Sequence, residues 1–135
     1  MARGFIPHNN NDGRVQPWEY LPATGSTAPS IGLALVLTSG KLAKCGATAT
    51  PQYICMRQEA AAVAAGTLLP VIKVEPDMVF ECTNSASLSG VSIGQKVTLH
   101  ASSGLQITGT TTSGVARLLY KAGDAAGSRC LVCFD

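Results

Sequence analysis

The sequence contains few charged and few aromatic residues. Charged residues make up 13% of the chain, about half of the ~25% that is usual for a globular protein. Aromatic residues make up only 5%, so Ala, Val, Leu and Ile must supply most of the core. The surface must then consist largely of Ser, Thr, Gly, Asn and Ala. Such a surface suits a protein that does not face bulk water on all sides.

Binding to nucleic acid or to a membrane finds no support in the sequence. The formal net charge is only +2, and the basic residues are spread from Arg3 to Arg129, whereas a nucleic-acid binder needs a clustered basic stripe. No segment approaches the ~18 apolar residues of a membrane-spanning helix. The N-terminus has an early arginine without a following apolar run, so it does not resemble a signal peptide. We therefore expect neither kind of partner, and assembly in the cytoplasm of a cell.

The cysteines are predicted to be free and buried. Their number, five, is odd, which agrees with a reducing compartment. Cys130 and Cys133 match a Cys-x-x-Cys spacing, but residues three apart on a strand point to opposite faces and do not share a metal ion. Neither His8 nor His100 has a carboxylate or a cysteine close in sequence. We predict no metal site and no cofactor.

No catalytic pattern stands out either. Glu75, Asp77 and Glu81 surround one turn and are typical of a solvated hairpin rather than of a pair of carboxylates in a cleft. The Ser-Gly pairs do not form a Gly-x-Ser-x-Gly nucleophile motif, and no phosphate-binding Gly-Lys-Ser/Thr signature is present. We therefore predict that the protein is not an enzyme.

Alternation of apolar and polar residues predicts an all-β fold, either a small barrel or a sandwich. The clearest segment, residues 66–81, reads as a hairpin whose strands flank a turn at Pro76 and Asp77. Residues 58–65 are ambiguous and predict a short helix or a strand edge. The other strands are predicted at 31–38, 41–45, 52–56, 93–100, 105–108, 115–120 and 128–134.

Residues 1–30 have no period and contain four prolines, which predicts an extended arm attached to a β domain at 31–135. We expect this arm to lie largely outside the domain. Trp18 and Tyr20 sit two residues apart in it, although disordered segments are poor in aromatic residues. Two interpretations remain open. Trp18 caps its own domain, or Trp18 and Tyr20 anchor the arm on another chain, because such residues dominate interface energetics.

The order of these segments resembles the small head-decoration proteins of tailed bacteriophages, which stabilise the capsid. The likeness covers roughly residues 31–135. It consists of a Gly-rich C-terminal part and of four segments at 37–46, 51–56, 65–74 and 92–100. The resemblance implies a compact β-tulip-like domain with an extended arm, located on the exterior of the virion.

The resemblance also implies a function and a partner. Such proteins bind the major capsid protein, and their arms pair with its strand edges, so we expect a structural virion protein that forms a dimer or trimer on the capsid. The family has no active site. From residue chemistry alone we predict Phe5, Ile6, Trp18, Tyr20 and Leu21 as the contacts with the partner. The alternatives are a β module that binds a small ligand or a carbohydrate, and another structural role in the virion.

Overall fold

A computed structural model describes residues 4–10 and 17–135, in which all regular structure is β-strand. The prediction of an all-β fold is therefore confirmed. The eleven strands of these residues are β1 (Ile6–Asn10), β2 (Trp18–Pro22), β3 (Ala34–Thr38), β4 (Lys41–Lys44), β5 (Tyr53–Cys55), β6 (Leu68–Lys73), β7 (Met78–Asn84), β8 (Lys96–Val97), β9 (Gln106–Ile107), β10 (Ala116–Lys121) and β11 (Arg129–Cys133).

Two sheets pack against each other and form a small sandwich. The first sheet has the strand order β1-β7-β11-β10-β8, and β9 pairs with β7 beside this path. The second sheet has the order β2-β6-β5-β3-β4. Only the pairing of β7 with β9 is parallel among the described strands. Neither sheet closes into a barrel, and the edge strands of the second sheet meet only at an isolated bridge between Ala23 and Leu42.

The described part of the N-terminal arm is extended, but it belongs to the sheets. β1 is an edge strand of the first sheet and pairs with β7, while β2 is an edge strand of the second sheet and pairs with β6. Phe5, just before β1, is fully buried, and its ring centroid lies 5.4 Å from that of Phe134 in an edge-on arrangement. The expectation that the arm lies largely outside the domain is wrong for these residues. The division of the chain at residue 30 stays a prediction.

A close crossing of two backbone segments fixes the start of β1. Gly4 and Gly32 both have positive φ, and a Cβ atom added to Gly32 would lie 2.7 Å from the Cα of Gly4 and 2.7 Å from the nitrogen of Phe5. The Phe5 N–H also donates a hydrogen bond to the Gly32 carbonyl at 2.8 Å. Only glycine fits both positions, since a side chain would push the segments apart. The crossing holds Phe5 in the core.

Residues 66–81 contain two strands, but these strands do not pair with each other. β6 belongs to the second sheet and β7 to the first, so the turn at Pro76 and Asp77 carries the chain from one sheet to the other. The predicted hairpin is therefore wrong. A proline break looks the same in sequence whether the next strand returns beside the first or crosses to the facing sheet. The predicted alternation in β7 is correct, because Met78, Phe80 and Cys82 are all buried.

Residues 58–65 form neither a helix nor a strand. Their backbone is tied instead to the segment before β3, where the Glu59 N–H donates to the Pro29 carbonyl at 2.9 Å and the Val63 N–H to the Thr27 carbonyl at 3.3 Å. The prediction of a short helix or a strand edge is therefore wrong in both of its forms. The alanine run has high helix propensity, but it is too short to form a helix without packing partners.

The strand predicted at 93–100 is mostly replaced by turns. Within this segment only β8 is a strand. An isolated antiparallel bridge between Leu99 and Ile107 follows it, so residues 105–108 pair with the end of this segment as expected. Ile93 is exposed, because Gly94 has a φ of 96° and turns the backbone immediately before β8. The alternation over these eight residues therefore reflects the burial of Val97 and Leu99, although the segment is not a continuous strand.

The predictions that rest on short-range signals agree with the structure. β3 and β4 form a hairpin around Ser39 and Gly40, which have φ values of 50° and 78°. Two consecutive positive φ values are the mark of the tight turn that suits the twist of a hairpin. The third early strand and the last two strands also lie where the sequence predicts them, and β10 pairs with β11.

The second sheet is apolar on both faces. Ala34, Ile54 and Ile72 belong to the main hydrophobic cluster between the sheets. Their neighbours Leu35, Cys55 and Val71 belong to a second cluster, against which the half-buried side chains Leu21, Tyr53, Val63 and Leu105 pack. Successive strand residues point to opposite faces, so the second cluster covers the side of the sheet that faces away from the first sheet. This double burial accounts for part of the low charged fraction of the chain.

A buried amide joins the end of β7 to the loop between β10 and β11. Asn84 is fully buried. Its Nδ2 lies 2.7 Å from the Ala86 carbonyl oxygen, 3.3 Å from that of Asp124 and 3.0 Å from that of Ala125. Its Oδ1 accepts the Ser128 N–H at 2.8 Å. Three carbonyls on one side and one N–H on the other fix the orientation of the amide, and they hold the loop onto the sheet.

Candidate functional site

The five residues predicted to contact a partner occupy different environments. Phe5 is fully buried and packs inside the domain, so it is not exposed to a partner, which corrects that part of the prediction. Ile6 and Leu21 are half-buried. Trp18 and Tyr20 are exposed, with relative exposures of 54% and 60%. Trp18 and Tyr20 are thus the most exposed of the five, and Trp18 does not cap its own domain. The contacts of Ile6, Trp18, Tyr20 and Leu21 with a partner stay predictions.

These two side chains share one face of an edge strand. Trp18 pairs with Ile72 and Tyr20 with Pro70, and paired residues of an antiparallel ladder project from the same face. At Ile72 this face is buried in the main hydrophobic cluster. Farther out, at β2, it is open to solvent. The two aromatic rings therefore extend the apolar face of the second sheet beyond the area that the first sheet covers.

Among the described residues no strand pairs with the outer edge of β2 at Trp18 and Tyr20. The Pro70 carbonyl accepts the Met56 N–H at 2.9 Å, on the side of β5. In an antiparallel strand the N–H and C=O of one residue point to the same side, and proline has no N–H. The pair of Tyr20 and Pro70 is therefore not hydrogen-bonded. It follows that the N–H and C=O groups of Tyr20, and of Trp18 two residues earlier, point away from β6.

An exposed apolar surface lies beside this edge. Leu68 pairs with Pro22 and is 56% exposed, and Pro22 and Pro70 are half-buried. We call Trp18, Tyr20, Pro22, Leu68 and Pro70 together the β2–β6 surface. No member is charged, and Glu19, between the two aromatic residues, projects from the opposite face because it pairs with Val71. The sequence did not indicate Leu68 or Pro70, since only the register of β2 on β6 brings them beside the aromatic residues.

The thiols are poor nucleophiles. All five cysteines are free and buried, as predicted. Burial raises the pKa of each thiol, to about 11 for Cys45 and for Cys130. Because the thiolate is the reactive form, these side chains behave as small apolar core residues. Cys82 and Cys130 lie directly opposite each other on β7 and β11, and both contribute to the main cluster.

Groups that could hold a metal ion are absent from residues 4–10 and 17–135: no three His, Cys, Asp or Glu side chains come together there. His8 is exposed. His100 is half-buried and its ring nitrogens lie near two serine hydroxyls, 2.8 Å from Ser103 Oγ and 3.3 Å from Ser102 Oγ. No carboxylate lies behind this ring to complete a Ser-His-Asp arrangement in the described residues.

Two concave surfaces bear on the alternative of a ligand-binding module. The larger has a volume of about 540 Å³ and is lined mainly by hydroxyl side chains together with Lys44. The smaller, about 350 Å³, lies between β5 and the ends of β3 and β6, where Tyr53 contributes to its lining. Both volumes fall in the range of small-molecule sites, roughly 300–1,000 Å³. The larger one contains no aromatic residue on which the face of a neutral sugar could stack.

No protein-family model, curated protein or solved structure matches the chain. The part of the chain that the structure describes has no helix of the length and apolarity needed to cross a membrane.

Proposed function

We propose that this chain is a structural protein of a bacteriophage particle, which binds the outer surface of the capsid and stabilises the head lattice. We infer this class of protein from the resemblance of its sequence segments to head-decoration proteins. The observation that supports the binding mode is the outer edge of β2, where free backbone groups lie beside exposed aromatic side chains. The partner is the major capsid protein.

The occupant of this edge is an extended segment of a capsid subunit. An added strand gains main-chain hydrogen bonds to an open sheet edge, and its alternate side chains provide specificity. Trp18 and Tyr20 offer the outward N–H and C=O groups, and the β2–β6 surface offers an uncharged apolar face next to them. The segment should therefore carry apolar residues at alternate positions, on the face that contacts the two rings.

The low charge of the domain supports the same role. With 13% charged residues, neighbouring molecules on a lattice meet through Ser, Thr and Ala side chains and desolvate few charges. A dimer or trimer on the capsid is part of the proposal, since many copies bound to one symmetric shell gain from avidity.

The double change Trp18→Ala, Tyr20→Ala tests the proposed contact. We expect binding to purified capsids to weaken at least about tenfold, or ~1.4 kcal/mol, because truncating an interface hot spot costs roughly 2 kcal/mol or more. The domain should remain folded, because both side chains are exposed. Occupancy on capsids, measured by co-sedimentation over a concentration series, gives the affinity. The matched control is Leu119→Ala, Tyr120→Ala, which removes two exposed apolar side chains from β10 and should leave binding unchanged.

Comparison of Tyr20→Pro with Tyr20→Ala separates backbone pairing from side-chain contact. The Tyr20 N–H points away from β6, so proline at this position removes a donor from the outer edge without breaking a bond to β6. We expect Tyr20→Pro to bind capsids more weakly than Tyr20→Ala at similar thermal stability. Equal affinities would refute strand addition at β2, and wild-type affinity of the double variant would refute the contact altogether.

A further inference from the structure

The larger cavity has the composition of an anion site rather than of an apolar pocket. It lies between the 24–30 segment, β4 and the turn at 101–104, three parts of the chain that are far apart in sequence. Five hydroxyl side chains and one cation line it: Ser26, Thr27, Ser30, Ser102, Ser103 and Lys44. The remaining lining residues are small or apolar, and none is acidic or aromatic.

Lys44 is exposed to solvent at the wall of this cavity, and its ammonium group has no counterion among the described residues. Its Nζ donates one hydrogen bond to the Ser102 carbonyl oxygen, at 2.6 Å. Among the described residues no carboxylate lies within ion-pair distance of this ammonium group. An ammonium group has three N–H donors, so two of them remain for a ligand.

The fold holds the lysine stem in place. Gly104 has a φ of 66°, and a Cβ atom at this position would lie 2.8 Å from Cδ1 of Leu33 and 3.0 Å from Cγ of Lys44. The Ala34 N–H donates to the Gly104 carbonyl at 3.0 Å and fixes the turn against β3. The turn thus packs directly on the methylene groups of Lys44. Less side-chain freedom remains to be lost when the ammonium group binds a ligand.

The serine hydroxyls on the same turn are also oriented. Ser103 Oγ lies 2.8 Å from Nδ1 of His100 and accepts the Leu105 N–H at 3.2 Å. Ser102 Oγ lies 3.3 Å from Nε2 of the same ring. A hydroxyl group can donate one hydrogen bond and accept two, so both serines keep capacity for a ligand. One imidazole therefore positions two hydroxyl groups at the wall of the cavity.

We propose that this cavity binds a carboxylated sugar, with the carboxylate on Lys44 and the sugar hydroxyls on the serine and threonine side chains. The single ammonium group of the lining balances the single negative charge of a carboxylate, whereas a phosphate group carries about −1.5 to −2 at pH 7 and would meet no second cation and no arginine here. The absence of an aromatic lining disfavours a neutral sugar. The proposal concerns the isolated domain and does not depend on the capsid contact at β2.

Titration of the full chain with glucuronate, followed by NMR of backbone amides, tests this site. We expect a dissociation constant of about 1 mM or tighter, with the largest shifts at Ala28, Ala43 and Ser102. Glucose tests the need for the carboxylate, and inorganic phosphate tests for simple anion binding. Both should bind at least about tenfold more weakly.

Lys44→Met keeps the methylene stem against Gly104 and removes the charge, so glucuronate affinity should fall at least about tenfold. Lys41→Met, on the same strand but outside the cavity lining, is the matched control and should bind as the wild type does. The proposal is overturned if glucuronate leaves the amides of the cavity unshifted, if phosphate or glucose binds equally well, or if Lys44→Met retains full affinity in a folded domain. None of these results would bear on capsid binding.

Discussion

Removal of residues 1–28 is expected to abolish the cooperative thermal unfolding of this domain. The deletion takes away both β1 and β2, and with them one edge strand of each sheet. It also removes Phe5 and Ala23, which are fully buried in different clusters. The sequence pattern alone led to the opposite expectation, that the remainder would fold without its arm.

Typical energies of buried side chains support the expected loss of cooperative unfolding. Replacement of a buried Phe by Ala typically costs about 3–5 kcal/mol, while the whole stability of a domain is about 5–15 kcal/mol. We therefore expect Phe5→Ala alone to lower the free energy of unfolding by about 3–5 kcal/mol, because its ring contacts Phe134 in the centre of the main cluster. The deletion must cost more, since it also exposes the edges of β6 and β7.

Tyr20→Ala is the matched control for Phe5→Ala, because it changes an aromatic residue of the same segment whose side chain is exposed. It should cost about 1 kcal/mol or less. Urea unfolding followed by circular dichroism measures both variants, and differential scanning calorimetry measures the deletion. A deletion variant that still unfolds cooperatively near the wild-type temperature would show that β1 and β2 are dispensable attachments.

Asn84→Asp is expected to destabilise the domain by about 3–5 kcal/mol at pH 7. The substitution preserves shape but replaces the Nδ2 donor with an oxygen that faces the carbonyl groups of Ala86, Asp124 and Ala125. An uncompensated buried charge typically costs this amount. The loop between β10 and β11 should also exchange its amide hydrogens faster, because the variant can no longer donate to three carbonyls.

The effect of Asn84→Asp should depend strongly on pH. Burial and the facing carbonyls raise the pKa of the introduced carboxyl in the folded state above the ~3.9 of an unfolded chain. Below the unfolded value the group is protonated in both states, so the ionisation penalty is absent. As pH rises above it, the unfolded state releases its proton more readily, and stability falls by about 1.4 kcal/mol per pH unit until the folded pKa is reached.

Gln58→Glu is the control for this variant, since it adds the same charge at an exposed side chain. The Ile31 N–H donates to the side-chain oxygen of Gln58 at 3.2 Å, which favours a slightly lowered pKa of the introduced carboxyl group, so the stability of this variant relative to wild type should stay level or rise a little between pH 4 and pH 7, opposite in sign to Asn84→Asp. Urea unfolding of both variants across this range gives the comparison. If Asn84→Asp lost no stability between pH 4 and pH 7, the buried amide network would be incorrectly described.

The parts of the fold that the sequence predicted correctly rest on short-range constraints. Ser39 and Gly40 determine their turn within four residues, and the alternation of Met78, Phe80 and Cys82 reports burial residue by residue. The partner of each strand is a long-range property. Pro76 and Asp77 end β6 in the same way for a hairpin and for a crossing between sheets. In the structure the two edges of β6 are covered by β2 and β5, which leaves no edge for β7.

The candidate sites were predictable only in part. Trp18 and Tyr20 were identified because aromatic residues are rare in this chain and stand two apart. Phe5 looked equivalent in sequence, but its place depends on the crossing of Gly4 and Gly32, which no local pattern reveals. Lys44 gave no signal at all, since its cavity forms only when the turn at 101–104 packs against β4.

In the first sheet β7 lies between β1 and β11, and this position has a kinetic consequence. These two neighbours come from opposite ends of the described chain, so one long loop must close to cover each edge of β7, although its last residues, Thr83 and Asn84, have a nearer partner in β9. Topologies with such distant contacts fold on a scale of roughly milliseconds to seconds. During that interval β7 presents two open edges and a row of apolar side chains, so refolding at high concentration should compete with intermolecular strand pairing and aggregation.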